Sequence, residues 1–191
     1  GYSFGGELAL ELAYSLPDAI DKIVLSGPSL FALEIGKLVQ IAGFMSVADS
    51  HFLNRINDMI LQGLSVSELY DQIWNQVDTK TVDRFLFKNQ RMANLNRSYW
   101  EESQLTNTGL MLKTLQNHPM EIPLINRLSQ IQHPILIIAG IYDRNTGVTI
   151  SNLIHRELPN SRMLLFNESA HFPDIEETQN FIKVVQIFLE A

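Results

Sequence analysis

The first six residues, GYSFGG, are the feature that most restricts how this chain can fold. A serine with a glycine two positions away on each side is typical of a sharp turn that leads into a helix. We expect side chains at positions 1 and 5 to clash in such a turn, so that Gly1 and Gly5 suit it. The pattern points to a reactive serine at Ser3 only if a helix and then a strand follow.

The residues behind this turn predict a helix and then a buried strand. Apolar residues recur at helical spacing through ELALELAYSL, and Pro17 marks the end of that helix. The short apolar run in KIVLSGP is typical of a strand that is covered on both faces. The order turn, helix, strand is therefore the context that the serine pattern requires, except that no strand precedes Ser3 in this sequence.

Residues 29–133 predict a helical insertion. Strand-like alternation is hard to find there, whereas apolar residues recur at helical spacing in successive segments. Ser65 and Glu68 have the spacing of a capping box at the start of a helix. The predicted helices are FALEIGKLVQIAGFM, FLNRINDMILQGL, VSELYDQIWNQV, TVDRFLFKNQRMANL and SYWEESQLTNTGLMLKTLQ. We expect the large aromatic residues to form the core of this insertion, with a minority lining a pocket: Phe44, Phe52, Trp74, Phe85 and Phe87.

An alternation of strands and helices returns at residue 134. The segments HPILIIAG and RMLLF predict strands, and VTISNLIHREL and ETQNFIKVVQIFLEA predict helices. Strands that alternate with helices form a parallel sheet with helices on both faces. We therefore predict an α/β protein whose core consists of residues 1–28 and 134–191, with residues 29–133 inserted as a helical cap.

Two more polar residues follow predicted strands. Asp143 lies a few residues beyond HPILIIAG, and His171 lies in the loop after RMLLF. The carboxyl ends of parallel strands meet at one edge of the sheet, so Ser3, Asp143 and His171 could converge there. A serine hydroxyl needs an imidazole to take its proton, and a carboxylate fixes that imidazole. On local sequence alone, Asp143 also fits a turn-capping residue and His171 a surface or packing residue.

Together these segments resemble the carboxyl-terminal two-thirds of an α/β-hydrolase-fold enzyme, similar to the proline iminopeptidase branch. The resemblance is carried by GYSFGG, ALELA, IVLSGP, ILIIAGIYDRNTG and SAHFPDIEE. It implies Ser3 as the nucleophile, His171 as the base and Asp143 as the acid that orients the base. It also implies that the Phe4 backbone N–H is one donor to the oxyanion. The insertion resembles the cap of that branch in position and size only.

The sequence departs from the family pattern at its beginning. The first strands of the fold, and the glycine-rich loop that supplies a second oxyanion donor, are not in it. We therefore interpret the chain as a fragment cut at the serine turn, and we expect these 191 residues alone to be inactive. Iminopeptidases resemble one another in holding the free amine of the substrate with cap carboxylates. Glu101 and Glu102, beside Trp100, are candidates for that role, although a solvated helix face also explains them.

The resemblance implies a serine hydrolase that cleaves an amide or ester through an acyl-enzyme. An aminopeptidase of the proline iminopeptidase type is the leading hypothesis. A small-molecule carboxylesterase or lipase-like enzyme is the alternative, and a non-catalytic truncated product is a third interpretation. We expect the substrate to be a small molecule or a short peptide. The sequence leaves the scissile bond, the acyl preference and the oligomeric state open.

The composition argues against several other classes of function. The formal net charge is −7 and basic residues do not cluster, so we predict no nucleic-acid surface. The chain has no cysteine, and its five histidines lack metal-binding spacing, so we predict neither a metal nor a cofactor. No apolar run approaches the roughly 20 residues of a membrane span. We expect a cytoplasmic protein.

Overall fold

Three parallel strands form the sheet in a computed structural model that describes residues 1–106, 110, 114 and 121–191. The strands are β1 (Ile23–Ser26), β2 (Ile135–Gly140) and β3 (Ser161–Phe166), in the order β1–β2–β3. Every residue of the central strand β2 is buried, which explains its continuous apolar sequence. The three predicted strands and their parallel pairing are confirmed.

Helices flank this sheet and fill much of the segment between β1 and β2. The helices are α1 (Phe4–Ser15), α2 (Glu34–Val47), α3 (Ser50–Leu61), α4 (Val66–Gln76), α5 (Thr79–Leu86), α6 (Gln90–Ser103), α7 (Gly147–Glu157), α8 (Pro173–Glu176) and α9 (Thr178–Glu190). Short 3-10 turns lie at Pro17–Ala19, Leu124–Asn126 and Leu128–Gln130. The predicted α/β architecture of parallel strands with flanking helices is confirmed. Within the described ranges, no helix combines the length and the apolar character needed to cross a membrane.

The central strand sends alternate side chains to two hydrophobic layers. Ile135 and Ile137 pack in one cluster with residues of α1 and α7, whereas Leu136 and Ile138 pack in another with residues of α9. This division follows from the two-residue period of a strand. Both faces of the sheet are therefore covered by helices. Polar groups of the loops can meet at the carboxyl ends of the strands.

The two ends of the inserted segment pack with the sheet. Leu30 follows β1, and Leu124, Leu128 and Ile131 precede β2, yet all four belong to the same cluster as the sheet residues. The predicted division into 1–28 and 134–191 as core and 29–133 as cap remains a prediction. The packing indicates that the separate layer of helices begins near α2 rather than directly after β1.

Helices α2 to α5 have a hydrophobic cluster of their own. Phe44 stacks on Phe85 with ring centres 4.0 Å apart, and the edge of Trp74 meets Phe44 at 5.0 Å. Phe52 is buried in the same cluster. The expected core of the cap is confirmed for these four residues. Phe87 differs, because it stacks on Phe172 of the sheet domain at 4.5 Å.

The helices of the insertion follow the sequence pattern with two breaks among the described residues. The predicted capping box is present, since Ser65 accepts from the Glu68 N–H and Glu68 accepts from the Ser65 N–H. The prediction of one helix over TVDRFLFKNQRMANL is wrong, because α5 ends at Leu86 and Asn89 caps the start of α6. The prediction of one helix over SYWEESQLTNTGLMLKTLQ is also wrong, because α6 ends at Ser103 and Gln104 has a left-handed conformation with a φ of 51°. Most of the later residues of that segment, and His118, lie outside the described residues.

An ion pair between a buried arginine and a partly exposed glutamate joins the segment before β2 to α1. Arg127 donates from its two terminal nitrogens to the Glu11 carboxylate, at 2.7 and 2.5 Å, and only 5% of Arg127 is exposed. We expect Arg127→Met to lower the free energy of unfolding by about 2 kcal/mol, because it leaves the partly buried Glu11 carboxylate without its partner. The control is Arg156→Met, which removes an exposed pair with Glu157 and should cost less than about 1 kcal/mol. Equal midpoints in urea unfolding for the two variants would contradict this prediction.

Candidate active site

Ser3, Asp143 and His171 lie together beyond the carboxyl ends of the strands. His171 Nδ1 is 2.9 Å from Asp143 Oδ2, and His171 Nε2 is 3.1 Å from Ser3 Oγ. Asp143 and His171 are buried, with 7% and 2% of their surfaces exposed. The structure therefore brings the three predicted residues into one hydrogen-bonded chain, although they are up to 168 positions apart in sequence.

The backbone of Ser3 is held in an unusual conformation at the start of α1. Its φ of 49° and ψ of −122° lie outside the regions that residues with a side chain normally adopt. Such a conformation costs about 1–3 kcal/mol and persists only where the surroundings impose it. Here the Ser3 N–H donates to the Ser26 carbonyl at 2.9 Å, and the Ser3 carbonyl accepts from Gly6 and Ser29. Ser3 is thus fixed to the end of β1.

The glycines around Ser3 differ in how strictly the turn needs them. A Cβ atom at Gly1 would lie 2.3 Å from the Gly5 carbonyl oxygen, so the predicted clash at Gly1 is confirmed. The prediction is wrong for Gly5, where an added Cβ would meet nothing within 4 Å. The turn is tight on the side of Gly1 because the chain folds back toward its own helix, and it is open on the other side.

The Asp143 carboxylate is surrounded by hydrogen-bond donors. Oδ1 accepts from the backbone N–H groups of Asn145 at 2.8 Å and Thr146 at 3.1 Å. Oδ2 accepts from His171 Nδ1 and from the Thr146 hydroxyl, each at 2.9 Å. Burial by itself would raise the pKa of Asp143, but the charge of His171 and these hydrogen bonds together lower it. The side chain is therefore held as a carboxylate facing the imidazole.

The loop that carries His171 is held by two glutamates from the following helices. Glu176 accepts from the Ala170 N–H at 2.6 Å, and Glu177 accepts from the Ser169 hydroxyl at 2.6 Å. Burial raises the pKa of Glu176 above its usual value, whereas its hydrogen bonds act in the opposite direction. These glutamates stabilise the conformation that points His171 at Ser3. Local sequence interprets them only as acidic residues at a helix start.

Two residues that the sequence analysis did not single out also bond to Asp143 and His171. The Asn145 side-chain nitrogen lies 2.9 Å from His171 Nε2, the same nitrogen that faces Ser3. With the proton on Nδ1, the Nε2 lone pair then accepts from both Asn145 and Ser3. The Thr146 hydroxyl lies 2.9 Å from Asp143 Oδ2 and 3.1 Å from the Gly27 carbonyl. The local signal for these residues is their place two and three positions after Asp143, where an aspartate side chain typically caps a turn.

The surroundings of Ser3 and His171 are aromatic on one side. The Tyr2 ring lies 5.1 Å from the His171 ring and 5.0 Å from the Phe172 ring. Burial, and then the nearby carboxylates of Asp143 and Asp174, raise the pKa of Tyr2, so its phenol is neutral. The Phe4 N–H, at the first position of α1, has no acceptor in the part of the chain that is described. This free donor is adjacent to Ser3, where the sequence predicted it.

The other predicted site residues lie apart from this chain of hydrogen bonds. Trp100, Glu101 and Glu102 are exposed near the end of α6, and 51% of Trp100 is accessible to solvent. Among the described residues, neither glutamate forms a hydrogen bond with Ser3 or His171. The structure does not bring these residues together with the site, and their role in holding a substrate amine remains a prediction.

A cavity of about 330 Å³ opens beside the site. It lies between the loop after β1, helices α2 and α4, and the loop that contains Asn145 and Thr146. Its lining residues are Ser29, Leu30, Phe31, Ala32, Leu33, Glu34, Gly36, Lys37, Gln40, Tyr70, Asp71, Asn145, Thr146 and Ile150. The cavity is thus bounded by inserted helices on one side and by loops at the carboxyl edge of the sheet on the other.

Side chains that could bind a metal ion do not cluster within the described ranges. No three histidine or carboxylate side chains there converge on a point that could hold a metal ion. Both oxygens of Asp143 are already occupied by donors from Asn145, Thr146 and His171. The polar groups of this site are thus arranged for hydrogen bonding and proton transfer along one line.

Gly27 leaves the space in which the pair of Asp143 and His171 fits. Its φ is +50°, and an added Cβ would lie 3.2 Å from His171 Nδ1 and 3.3 Å from Asp143 Oδ2. We expect Gly27→Ala to cost about 1–2 kcal/mol of stability through backbone strain and also to disturb the hydrogen bond between those two side chains. The measurement is the NMR signal of the His171 Nδ1 proton, together with urea unfolding.

Gly63→Ala is the matched control for this substitution. Gly63 also has a positive φ, +77°, but an added Cβ there would meet nothing within 4 Å. It should therefore show a similar loss of stability while its imidazole proton signal is unchanged. If Gly27→Ala leaves that signal as it is in the unsubstituted protein, Gly27 does not control the geometry of the pair.

A parallel sheet with a serine, an aspartate and a histidine beyond its strand ends is the arrangement of α/β hydrolases. The alpha/beta hydrolase fold family matches residues 1–178, and the chain belongs to this family. The match includes the inserted helices as well as the three strands. It thus extends the resemblance seen in the flanking segments to nearly the whole chain.

Curated relatives of the chain have different activities. A Bacillus subtilis protein assigned as a 2-succinyl-6-hydroxy-2,4-cyclohexadiene-1-carboxylate synthase is 26% identical, covering 100% of this chain and 65% of its own length. A pimeloyl-[acyl-carrier protein] methyl ester esterase of Nitrosomonas europaea is 24% identical, covering 95% of this chain and 67% of its own length. A proline iminopeptidase of Clostridioides difficile is 30% identical, but the match covers only 48% of this chain and 28% of that protein.

These relatives support the assignment to the family, but they do not agree on one substrate. The chain spans 65% of the length of the Bacillus subtilis protein, slightly less than two thirds. The similarity to a proline iminopeptidase is local, and a match to an esterase extends over nearly the whole chain. The coarser expectation of an α/β hydrolase is therefore confirmed, and the narrower iminopeptidase branch is not distinguished from the esterases.

Proposed function

We propose that this protein is a serine hydrolase that cleaves a carboxylic ester through an acyl-enzyme. The observation that carries the proposal is the continuous line of hydrogen bonds from Asp143 through His171 to Ser3, at 2.9 and 3.1 Å. A serine hydroxyl is a poor nucleophile by itself and reacts when an oriented imidazole takes its proton. Membership of the alpha/beta hydrolase fold family supports the same chemistry.

In the proposed first step, Ser3 Oγ attacks the ester carbonyl carbon and its proton passes to His171 Nε2. Asp143 keeps the other proton on Nδ1 and stabilises the imidazolium. The tetrahedral intermediate then breaks its bond to the alkoxy oxygen, which leaves with the proton from His171 as an alcohol. In the second step a water molecule gives a proton to His171 and attacks the acyl group, which releases the acid and restores Ser3.

The Phe4 N–H is proposed as a donor to the oxyanion. It lies at the first position of α1 beside Ser3, and it has no acceptor within the described ranges. The amino end of a helix carries partial positive charge, so this N–H suits the negative oxygen that develops during attack. One such donor typically contributes about 10²–10³-fold to the rate.

An ester is favoured over a prolyl amide because the two carboxylates that were predicted to hold a substrate amine do not reach Ser3. Glu101 and Glu102 are exposed on α6 and bond neither to Ser3 nor to His171 among the described residues. The methyl ester esterase relative, which covers nearly all of this chain, supports the ester proposal. A proline iminopeptidase activity is the second candidate, because the local match to such an enzyme has the higher identity, 30%.

Fluorophosphonate labelling tests the proposal. In the full product of the gene that encodes this chain, we expect one covalent adduct, mapped to Ser3. Ser98→Ala is the control, since among the described residues the Ser98 hydroxyl bonds to a carbonyl of its own helix, at 2.8 Å, and not to the site. Labelling should survive in that control and vanish in Ser3→Ala. An unlabelled protein, or an adduct on another residue, would refute the assignment of Ser3.

A comparison of two substrates distinguishes the two candidate activities. We expect turnover of p-nitrophenyl butyrate to exceed turnover of prolyl-p-nitroanilide in kcat/KM. The reverse order would favour the aminopeptidase. In that case, substitution of both Glu101 and Glu102 by glutamine should raise the KM for the prolyl compound, and an unchanged KM would exclude them as the amine site.

A further inference from the structure

One wall of the cavity is bonded directly to the proposed catalytic residues. The Ser29 N–H donates to the Ser3 carbonyl at 3.2 Å, and the Asn145 side chain lies 2.9 Å from His171 Nε2. Ser29 and Asn145 both line the cavity. A group that is attached to a carbonyl at Ser3 is therefore next to this space, which makes it a site for the remainder of a substrate.

The opposite wall presents a cation from α2. Lys37 is half-buried, and its ammonium donates to the Ser67 hydroxyl at 2.7 Å and lies 5.8 Å from the centre of the Tyr70 ring. Within the described residues, it forms no ion pair with a carboxylate at up to 4.0 Å. An ammonium has three N–H donors, so the Ser67 contact leaves two for a ligand.

Gln40 adds a second donor on the same face of α2. Positions 37 and 40 are three residues apart, so their side chains are neighbours on the helix surface. The Gln40 carbonyl oxygen accepts from the Trp74 ring N–H at 2.9 Å. This bond occupies the oxygen end of the amide and leaves the two N–H donors of Nε2. Lys37 and Gln40 therefore offer donors to the cavity, and the oxygen of Gln40 is already used.

The two carboxylates of the cavity are more exposed than its lysine. Glu34 and Asp71 both line it, but both are exposed, whereas Lys37 is half-buried. Water and salt screen exposed charges more strongly than half-buried ones. The half-buried ammonium of Lys37 is therefore screened less than the two carboxylates and can attract an anion, although the formal charges of these three residues sum to −1. The cavity also has apolar walls, with Leu30, Leu33 and Ile150 among the lining residues.

From this arrangement we infer that the cavity binds an acyl group whose far end carries a carboxylate. Lys37 and Gln40 would hold that carboxylate, the apolar walls would contact the methylene chain, and the ester carbonyl would lie at Ser3. The substrate class is thus the monoester of a short aliphatic dicarboxylic acid. The inference rests on the proposed function for the ester bond, but the anion site itself rests only on the cavity.

Binding of monomethyl glutarate and of dimethyl glutarate tests this inference. The two compounds have nearly the same shape and differ in one negative charge. The dissociation constants of both compounds would be measured by NMR titration. The protein would be the full gene product with Ser3→Ala, which prevents hydrolysis. The charged monoester should bind at least about tenfold more tightly than the neutral diester, as expected for charge-assisted hydrogen bonds.

Substitutions on α2 locate the anion site. Lys37→Met should remove the preference for the monoester, whereas Lys37→Arg should keep most of it because the charge remains. Gln40→Glu should also remove the preference, since it retains an acceptor for Trp74 and adds a negative charge. The control is Lys80→Met, which changes an exposed lysine at the start of α5 and should leave binding unchanged.

The outcomes separate this inference from the proposed function. Equal affinity for the two esters, or a preference that survives in Lys37→Met and Gln40→Glu, would overturn the anion site. If Ser3 is labelled by the fluorophosphonate but the preference is missing, the inference fails and the proposed function stands. If the preference depends on Lys37 but Ser3 is not labelled, the anion site stands and the proposed function fails.

Discussion

Ser3→Ala lowers kcat/KM for a short acyl ester by at least about 10⁴-fold if Ser3 is the nucleophile. The substitution removes the oxygen that lies 3.1 Å from His171 Nε2 and leaves the backbone bonds of Ser3 to Ser26 and Gly6 in place. The free energy of unfolding should therefore change little, by roughly 0.5 kcal/mol or less. Steady-state kinetics and urea unfolding of the full gene product measure the two quantities.

The same assays on Ser98→Ala show what the loss of a serine hydroxyl on the cap surface does by itself. That variant should keep the activity of the unsubstituted protein. A Ser3→Ala variant that retains more than about a tenth of kcat/KM would exclude Ser3 as the nucleophile, because such a loss is only about 1.4 kcal/mol of transition-state stabilisation.

Asp143→Asn should cost about 10⁴-fold in kcat/KM, through the tautomer of His171. The oxygen that accepts from the backbone N–H groups of Asn145 and Thr146 must stay an oxygen, because N–H groups donate. The new amide nitrogen then takes the place of Oδ2 and donates to His171 Nδ1. The imidazole must carry its proton on Nε2, where it faces Ser3 as a donor and cannot accept the hydroxyl proton.

Asp174→Asn is the matched control for this substitution. Asp174 is a partly buried carboxylate near His171, but one of its oxygens has no hydrogen-bond partner among the described residues, and it does not bond to the imidazole. It should lower kcat/KM by less than about tenfold. The NMR signal of the Nδ1 proton should persist in Asp174→Asn and vanish in Asp143→Asn. A persistent signal in the latter would contradict the tautomer argument.

The sequence was sufficient to predict the sheet and the residues that meet at its edge. The buried strand β2 is a continuous run of apolar residues, and this pattern has few alternatives once helices flank it. The order Ser3, Asp143, His171 then restricts the candidates, because each residue follows a strand or the serine turn. Parallel strands place those ends together whatever the sequence distance between them.

The contacts that complete the site could not be predicted in the same way. Asn145 contacts His171 only because the loops after β2 and β3 pass close to one another in space. Glu176 contacts the His171 loop because the short helix α8 brings its carboxylate back to Ala170, six residues earlier. From the sequence alone, Asn145 fits a turn position and Glu176 a position near the start of a helix. The structure shows these local roles in addition to the contacts with the His171 loop. Lys37 and Gln40 read as ordinary polar positions of an amphipathic helix until the cavity beside them is known.

The sequence indicates only part of the role of Gly27. The segment KIVLSGP predicts a strand that ends near Gly27, and β1 does end at Ser26. Its second role depends on His171 and Asp143, which lie more than a hundred residues further along the chain. A missing side chain that accommodates distant groups leaves no local pattern.

The bond between the cap and the His171 loop has a mechanical consequence. The backbone N–H of His171 donates at 3.0 Å to the carbonyl of Leu86, the last residue of α5. Arg144, next to Asp143, also bonds to Ser46 and to the Arg84 carbonyl on the cap. A displacement of α5 away from the sheet would have to break these bonds or move His171 relative to Ser3. The position of the inserted helices and the alignment of the histidine with the serine are therefore coupled.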